Sequence, residues 1–259
     1  TIRHWMDKLA TLADFDILAL LFQGDENDLR KTVWQQPALF ILEYAIYRQL
    51  HELGIVPTGL AGHSMGELVA LAVAGVFTFE EAYRIIAKRA SCMDKASRIA
   101  ADPGAMLAVD LPEELLAELV TADTDLYITN YNSPHQTVVG GRTDAVQKLR
   151  ERLTRDKYWS HLLPVSMAFH SPLMRIIRDE LGDYLGDIRF QAPKIPVISN
   201  TTREPFPDEP QEIRRIILAH LESPVHWQSN IETLRQQLGI ELFVEIGPRD
   251  SLCKLLADI

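Results

Sequence analysis

The sequence predicts an α/β fold, a large parallel-sheet unit interrupted by a small inserted one. Three observations predict it. The chain has 259 residues, a length that suits one large domain with a smaller insertion. Residues 59–75, GLAGHSMGELVALAVAG, pass from a short apolar stretch straight into a helix former, as a buried parallel strand feeding a helix does. Residues 105–166 read β-α-β-β-α-β, the order of a ferredoxin-like unit.

Each element has a local reason. TIRHWMDKLATLAD at the start reads as a helix. Pro37 opens a second, PALFILEYAIYRQLHELG, with Gly54 as its stop. IVPTGLAGHS fits a buried strand and MGELVALAVAG the helix leaving it. Residues 79–99 form a long amphipathic helix, with Thr78 as N-cap and Glu81 three residues on, a capping box. ADPG at 101–104 breaks the chain. AMLAVDL, LYITNYN, QTVVGG and SHLLPVS are the strands of the small unit, and PEELLAELVTA and TDAVQKLRERLTR are its helices. Residues 1–104 and 167–259 then form the large unit and 105–166 the small one. The large unit continues with a helix (SPLMRIIRDELGDYL), a strand (IPVISN), further helices and a last strand-turn-helix, LFVEIGPRDSLCKLL.

Composition narrows the function classes. The chain is 47% hydrophobic and 24% charged, as ordinary globular proteins are. A net charge of −10 speaks against a nucleic-acid surface, and an acidic partner would need a local basic dock. The two cysteines, Cys92 and Cys253, have neither CxxC nor metal-ligand spacing. They point to a reducing, cytoplasmic setting with no disulfide framework and no metal site. The longest apolar run, Leu68 to Phe77, falls short of the roughly 20 residues of a membrane span. No basic segment precedes an apolar stretch, so no signal peptide is expected. The first residue is Thr1, which suggests a domain excised from something longer.

The chemistry starts at Gly62-His63-Ser64-Met65-Gly66. A serine on a tight strand-to-helix turn projects its Oγ at the end of the strand, and the helix N-terminus supplies N–H groups for an oxyanion. Ser64 is the candidate nucleophile, and the Met65 N–H a candidate oxyanion donor. His63, beside it, points elsewhere on the turn. Among eight histidines, His170 in MAFHSP stands in a break after a strand, where bases are often presented; by itself its default reading is a surface-loop histidine. Arg89 occupies the apolar stripe of helix 79–99, with Ala82, Ile85, Ile86, Cys92 and Met93, while Arg84, Lys88, Ser91 and Lys95 fall on the wet side. An inward arginine must meet an anion. A buried Asp or Glu and a substrate carboxylate gripped by the guanidinium fork are even readings. Gln35 and Gln36 read as surface residues at a helix start or as pocket lining, and the sequence alone favours the surface reading.

QQPALF (35–40), GHSMGE (62–67), AKRA (87–90), NYNSPHQTVVGG (130–141), MAFHSPLM (167–174), PVISN (196–200), SPVHW (223–227) and EIGP (245–248) run in one order along nearly the whole chain. As a set they resemble the acyltransferase domains of polyketide synthases and the malonyl-CoA:acyl-carrier-protein transacylases. The resemblance implies an α/β-hydrolase-like parallel-sheet core with an inserted ferredoxin-like subdomain. It implies Ser64 as acyl nucleophile, His170 as its base and Arg89 as the ligand of a malonyl carboxylate. A backbone carbonyl near Gly247-Pro248 would orient the imidazole. Gln36, His63, Phe169 and Met167 are the further substrate-binding candidates. Phe169, next to the base, would crowd an α-methyl branch, although one methyl is worth only about 1–3 kcal/mol. Met167 stands where histidine is commonest in malonyl-type members.

The implied activity is ping-pong transfer of a malonyl-type group from coenzyme A to the phosphopantetheine thiol of an acyl carrier protein, with no bound cofactor. Arg84, Lys88, Arg249 and Lys254 are candidate coenzyme A contacts. The family's first strand ends in Gly-Gln-Gly-Ser-Gln and gives the second oxyanion N–H. No such stretch occurs here; LFQGDEN (21–27) fits a helical segment. That strand is expected upstream, or the piece is catalytically compromised and serves as a carrier-docking domain. A third reading is an acyl hydrolase or esterase of related fold, with His226 as base.

Overall fold

The computed structural model describes residues 1–29 and 31–259. Its first part is helical. The Thr1 side chain caps α1 (Ile2–Leu9), Asp16 caps α2 (Ile17–Gln23), and α3 (Glu26–Leu29) is a short turn. α4 (Thr32–Glu52) contains Pro37 instead of starting at it. A proline inside a helix removes one ladder bond, yet Pro37, Ala38, Phe40, Ile41 and Ala45 are all buried, and tertiary packing outweighs the local break. The earlier start puts Gln36 on a packed helix, facing inward at 8% exposure.

β1 (Leu60–Ala61) is much shorter than the predicted strand. It runs parallel to β6 (Val197–Ile198) and, among the described residues, pairs with that strand alone. α5 (Gly66–Val73) leaves the turn after β1, and Glu67 through Ala72 are all buried. α6 (Phe79–Ile99) begins with the predicted capping box: Glu81 N donates to Thr78 Oγ1 and Thr78 N to Glu81 Oε2.

β2 (Ala105–Val109), α7 (Glu113–Ala122), β3 (Leu126–Ser133), β4 (Gln136–Gly141), α8 (Thr143–Arg155) and β5 (Ser160–Leu162) follow. The strands form an antiparallel sheet in the order β3-β4-β2-β5, the arrangement that a ferredoxin-like β-α-β-β-α-β order gives. Leu107, Val109 and Val139 of this sheet pack on Leu116 and Leu119 of α7 and on Val146 and Leu149 of α8, a core of their own. The small unit is tied to the rest by backbone and side-chain bonds. Tyr131 N donates to Val225 O (2.8 Å), Val225 N donates to Thr129 O (2.8 Å), and Asp102 accepts from the N–H and hydroxyl of Thr143 at the start of α8.

A 3-10 turn (Pro172–Ile177) leads into α9 (Arg178–Gly186); β6 precedes α10 (Pro210–Ala219), α11 (Trp227–Leu238) and α12 (Ser251–Asp258). Phe40, Ile41, Leu71, Ile85, Ile86 and Met174 centre the largest core, between α4, α5 and α6. The last predicted strand is not formed. LFVEIG carries no ladder, with Leu242 82% and Val244 57% exposed, and it lines one wall of a cavity whose other wall includes Leu60 and Ala61. A strand exists only when a neighbour accepts its hydrogen bonds, and no strand lies beside this stretch among the described residues.

Candidate active site

Ser64 sits on the turn between β1 and α5 in a left-handed backbone, φ 53°. Such a conformation costs a non-glycine residue on the order of 1 kcal/mol and persists only where its surroundings enforce it. Gly62 is one reason. A Cβ there would lie 2.0 Å from the Gly66 carbonyl, so the turn closes this tightly only over glycine. Gly66 itself has open space. The N–H groups of Gly66, Glu67 and Leu68 donate to His63, Ser64 and Met65 carbonyls. Among the described residues, the Met65 N–H donates to no backbone carbonyl.

His170, 106 residues downstream, meets this turn: its Nε2 lies 2.7 Å from Ser64 Oγ. It too is left-handed, φ 59°, and only 4% exposed. Its Nδ1 lies 2.9 Å from the His220 carbonyl oxygen. A carbonyl can only accept, so Nδ1 carries the proton and Nε2 is left bare to accept from the serine hydroxyl. That carbonyl lies at residue 220, not near Gly247-Pro248. His220 is the C-cap of α10, where the last carbonyls have no partner within the helix and carry its negative end. A helix terminus thus stands where a triad would have a carboxylate. Burial, then the charge of Arg89, pull the His170 imidazole down to about 3, which keeps it neutral.

Arg89 is buried at 5% exposure, and its Nη1 donates to Gln36 Oε1 (2.6 Å). Gln36 Nε2 reaches Met93 Sδ (3.3 Å), which holds the amide in place. Among the described residues no carboxylate comes within 4.0 Å of the guanidinium. Glu67 interacts with it only at longer range, and burial brings the Arg89 pKa down to about 10. The side-chain contact of Arg89 is a neutral amide, and the fork borders an open cavity of about 500 Å³.

Ser64, Met65, His63, Gln36 and Phe169 line the same cavity. His63 Nε2 is 2.8 Å from Asn132 Oδ1, and its ring meets Trp227 edge-on, so it joins the elbow to β3. Met167 is a correction. It is 1% exposed, packs in the main core and does not border the cavity. Its loop turns Phe169 to the cavity and Met167 away from it. Arg84, Lys88, Arg249 and Lys254 do not line the cavity either; Lys88 pairs with Glu180 and Lys254 with Asp250. His226 stacks on Tyr131 (4.9 Å, 7°), and the serine's histidine is His170.

Sequence reasoning missed Glu67 and His220. Glu67 is 0% exposed, and its Oε2 accepts from Asn200 N (2.5 Å) and Asn200 Nδ2 (2.7 Å). Asn200 Nδ2 also donates to Gly62 O (2.7 Å), tying β6 to the elbow. A signal for Glu67 was present, because an acid at the head of an all-apolar helix has nowhere wet to point. Among the described residues no three His, Cys, Asp or Glu side chains cluster as metal ligands. No helix among them is long and apolar enough to cross a membrane.

The family model for the acyl transferase domain matches residues 1–258. The chain belongs to the acyltransferase domain family. Among similar members is the polyketide biosynthesis protein ThaF of Burkholderia thailandensis, 36% identical over 251 residues; the match covers 95% of this chain and 21% of that protein. The malonyl CoA-acyl carrier protein transacylase of Bacillus subtilis is 32% identical over 264 residues, covering 99% of this chain and 82% of that one. A malonyl-transacylase solved in complex with its type II polyketide acyl-carrier protein superposes with a TM-score of 0.92 at 31% identity, over 99% of this acyltransferase chain and 84% of its own. The chain thus spans about a fifth of ThaF and most of the Bacillus transacylase.

Proposed function

We propose that this acyltransferase domain moves a malonyl-type group from coenzyme A to the phosphopantetheine thiol of an acyl carrier protein in polyketide or fatty acid biosynthesis. The observation that carries the reading is the 2.7 Å contact of Ser64 Oγ with a His170 Nε2 that must be unprotonated, on the wall of a cavity shared with Arg89. The family membership and the named activities of its relatives support it.

In the first half-reaction His170 Nε2 takes the Ser64 proton as Oγ attacks the thioester carbon. The resulting oxyanion lies on the Met65 N–H at the start of α5. The imidazolium is held by the His220 carbonyl at the α10 terminus. Collapse expels the coenzyme A thiolate, which leaves with the His170 proton, and a malonyl-serine ester remains. Arg89, steadied by Gln36, binds its free carboxylate. In the second half His170 takes the proton of the carrier thiol, the thiolate attacks the ester, and Ser64 recovers the proton. Phe169 restricts the space beside the base and favours an unbranched malonyl group.

Residues 105–166 act as a small subdomain set on the large unit of 1–104 and 167–259, a division that the separate core of the four-stranded sheet supports. A second oxyanion N–H belongs on a Gly-Gln-Gly-Ser-Gln strand. Its seat would be the cavity between β1, which has one strand neighbour, and residues 241–246. Two unpaired cysteines, one of them exposed Cys253, fit a cytoplasmic setting.

The full-length protein, incubated with malonyl-CoA and analysed by intact mass, should gain one malonyl group that Ser64→Ala removes. Absence of the adduct overturns the assignment and favours a carrier-docking role. Fast release of free malonate with the carrier thiol left unloaded would point to a hydrolase.

A further inference from the structure

Two buried ionisable side chains behind His170 have no part in the steps above. Glu67 and His220 face each other, with Glu67 Oε1 3.4 Å from His220 Nδ1 at side-chain exposures of 0% and 6%. Among the described residues Glu67 Oε1 and His220 Nε2 have no hydrogen-bond partner, and the 3.4 Å approach to His220 Nδ1 is the close polar contact of Oε1. The other carboxylate oxygen is held by Asn200, so Oε1 is aimed at His220 by a fixed carboxylate. His220 is also the residue whose carbonyl receives His170 Nδ1–H, and the two imidazole rings pack 4.8 Å apart.

We infer that Glu67 and His220 form one positioning unit, in which the carboxyl grips the His220 side chain and so keeps the His220 carbonyl on His170 Nδ1, in the tautomer a base needs. His220 ends α10, and helix ends fray unless tied down. Its ring is the tie, because a buried carboxyl oxygen and the buried Nδ1 that faces it gain most by pairing with each other. A single proton between them suffices. Burial raises Glu67 to about 7 and, with the nearby charges of His170, Arg89 and His63, lowers His220 well below its usual range, so the imidazole stays neutral and the carboxyl keeps its proton up to about pH 7. The groups facing it are Arg89 of α6, His63 of the elbow, His170 and Asn200. Glu67 thereby reaches the base through the backbone of residue 220, two bonded steps from where a triad acid would act.

The inference rests on the Ser64–His170 reading, and the test separates the two. Tautomer state of His170 is read by 1H–15N correlation of its ring in the folded full-length protein, and Ser64 acylation is followed as kcat and KM for malonyl-CoA. His220→Phe keeps an aromatic ring and loses the polar contact with Glu67; it should mix the His170 tautomers and lower kcat about 10-fold with KM unchanged. His220→Asn restores a polar group at the Nδ1 position and should recover kcat to within about 2-fold of the native protein. With Glu67→Ala as background the advantage of Asn over Phe should vanish, the non-additivity of groups acting as a unit. Native tautomer and kcat in His220→Phe, or no recovery in His220→Asn, overturns the inference even if Glu67→Ala fails to fold. Undiminished acylation in His170→Ala would instead overturn the reading of the site.

Discussion

The four-stranded antiparallel sheet and the two-stranded parallel pair solve different problems. Every strand of the first is recruited from residues 105–162, and β3 joins β4 through a tight hairpin. The ladders between its strands and the core under its helices lie within that stretch, and its edge strand β3 bonds out to Val225. The parallel pair joins Leu60 to Val197, across more than half the chain, over two residues each. The elbow on that pair is held by groups from everywhere: Asn200, His170, Asn132. The small sheet, built mostly from residues close in sequence, provides a stable neighbour. The dispersed pair carries the strained Ser64, which needs many distant restraints to hold it.

The comparison predicts that damage at the dispersed site costs activity and damage to the closed sheet costs stability. The largest effect belongs to Gly62→Ala. A methyl 2.0 Å from backbone must move the turn, so a loss of about 4 kcal/mol and of about 10²-fold or more in Ser64 acylation is expected. Gly66→Ala, with nothing near its new methyl, should keep both within assay error. Equal damage from both would show that the turn is not set by Gly62.

Arg89→Ala should follow. Malonyl transfer should fall about 10²-fold, with acetyl transfer much less affected, since acetyl has no carboxylate to lose. Equal losses would return Arg89 to a structural role. Leu107→Ala, in the small core, should cost about 3 kcal/mol in denaturant unfolding yet leave the acylation rate of the folded fraction within about 2-fold. A matching loss of rate would mean that the small sheet holds the elbow as tightly as β6 does.

The pH dependence of stability should carry a smaller signature of the same site. His170 moves from 6.5 to about 3 on folding, so between those values the unfolded chain binds its proton first and stability falls as pH falls. Glu67, raised from 4.5 to about 7, acts with the opposite sign: its contribution is complete below 4.5 and is lost as pH rises through 7. His170→Gln should therefore lose less stability than the native protein between pH 6.5 and 3 in parallel chemical melts. Identical slopes would place the His170 titration in the normal range.

The capping box of α6, the hairpin β3–β4 and the glycine turn at Ser64 were all legible in the sequence, because each depends on neighbours a few residues apart. So was the inward direction of Arg89, which follows from helical period alone. The order of motifs along the chain was enough to place it in its family and to mark Ser64, His170 and Arg89. What local pattern could not foresee came from distance. Pro37 was absorbed into α4 by core packing, and LFVEI stayed without a ladder because a strand is defined by its neighbour. Met167 and Phe169, two positions apart, took opposite sides of a loop whose path is set by the core. Only the tertiary structure decided that Gln36 steadies Arg89, that the α10 terminus orients His170, and that Glu67 faces His220. Each is a hydrogen bond or a burial between residues at least 50 positions apart, and no period or motif in a sequence encodes that.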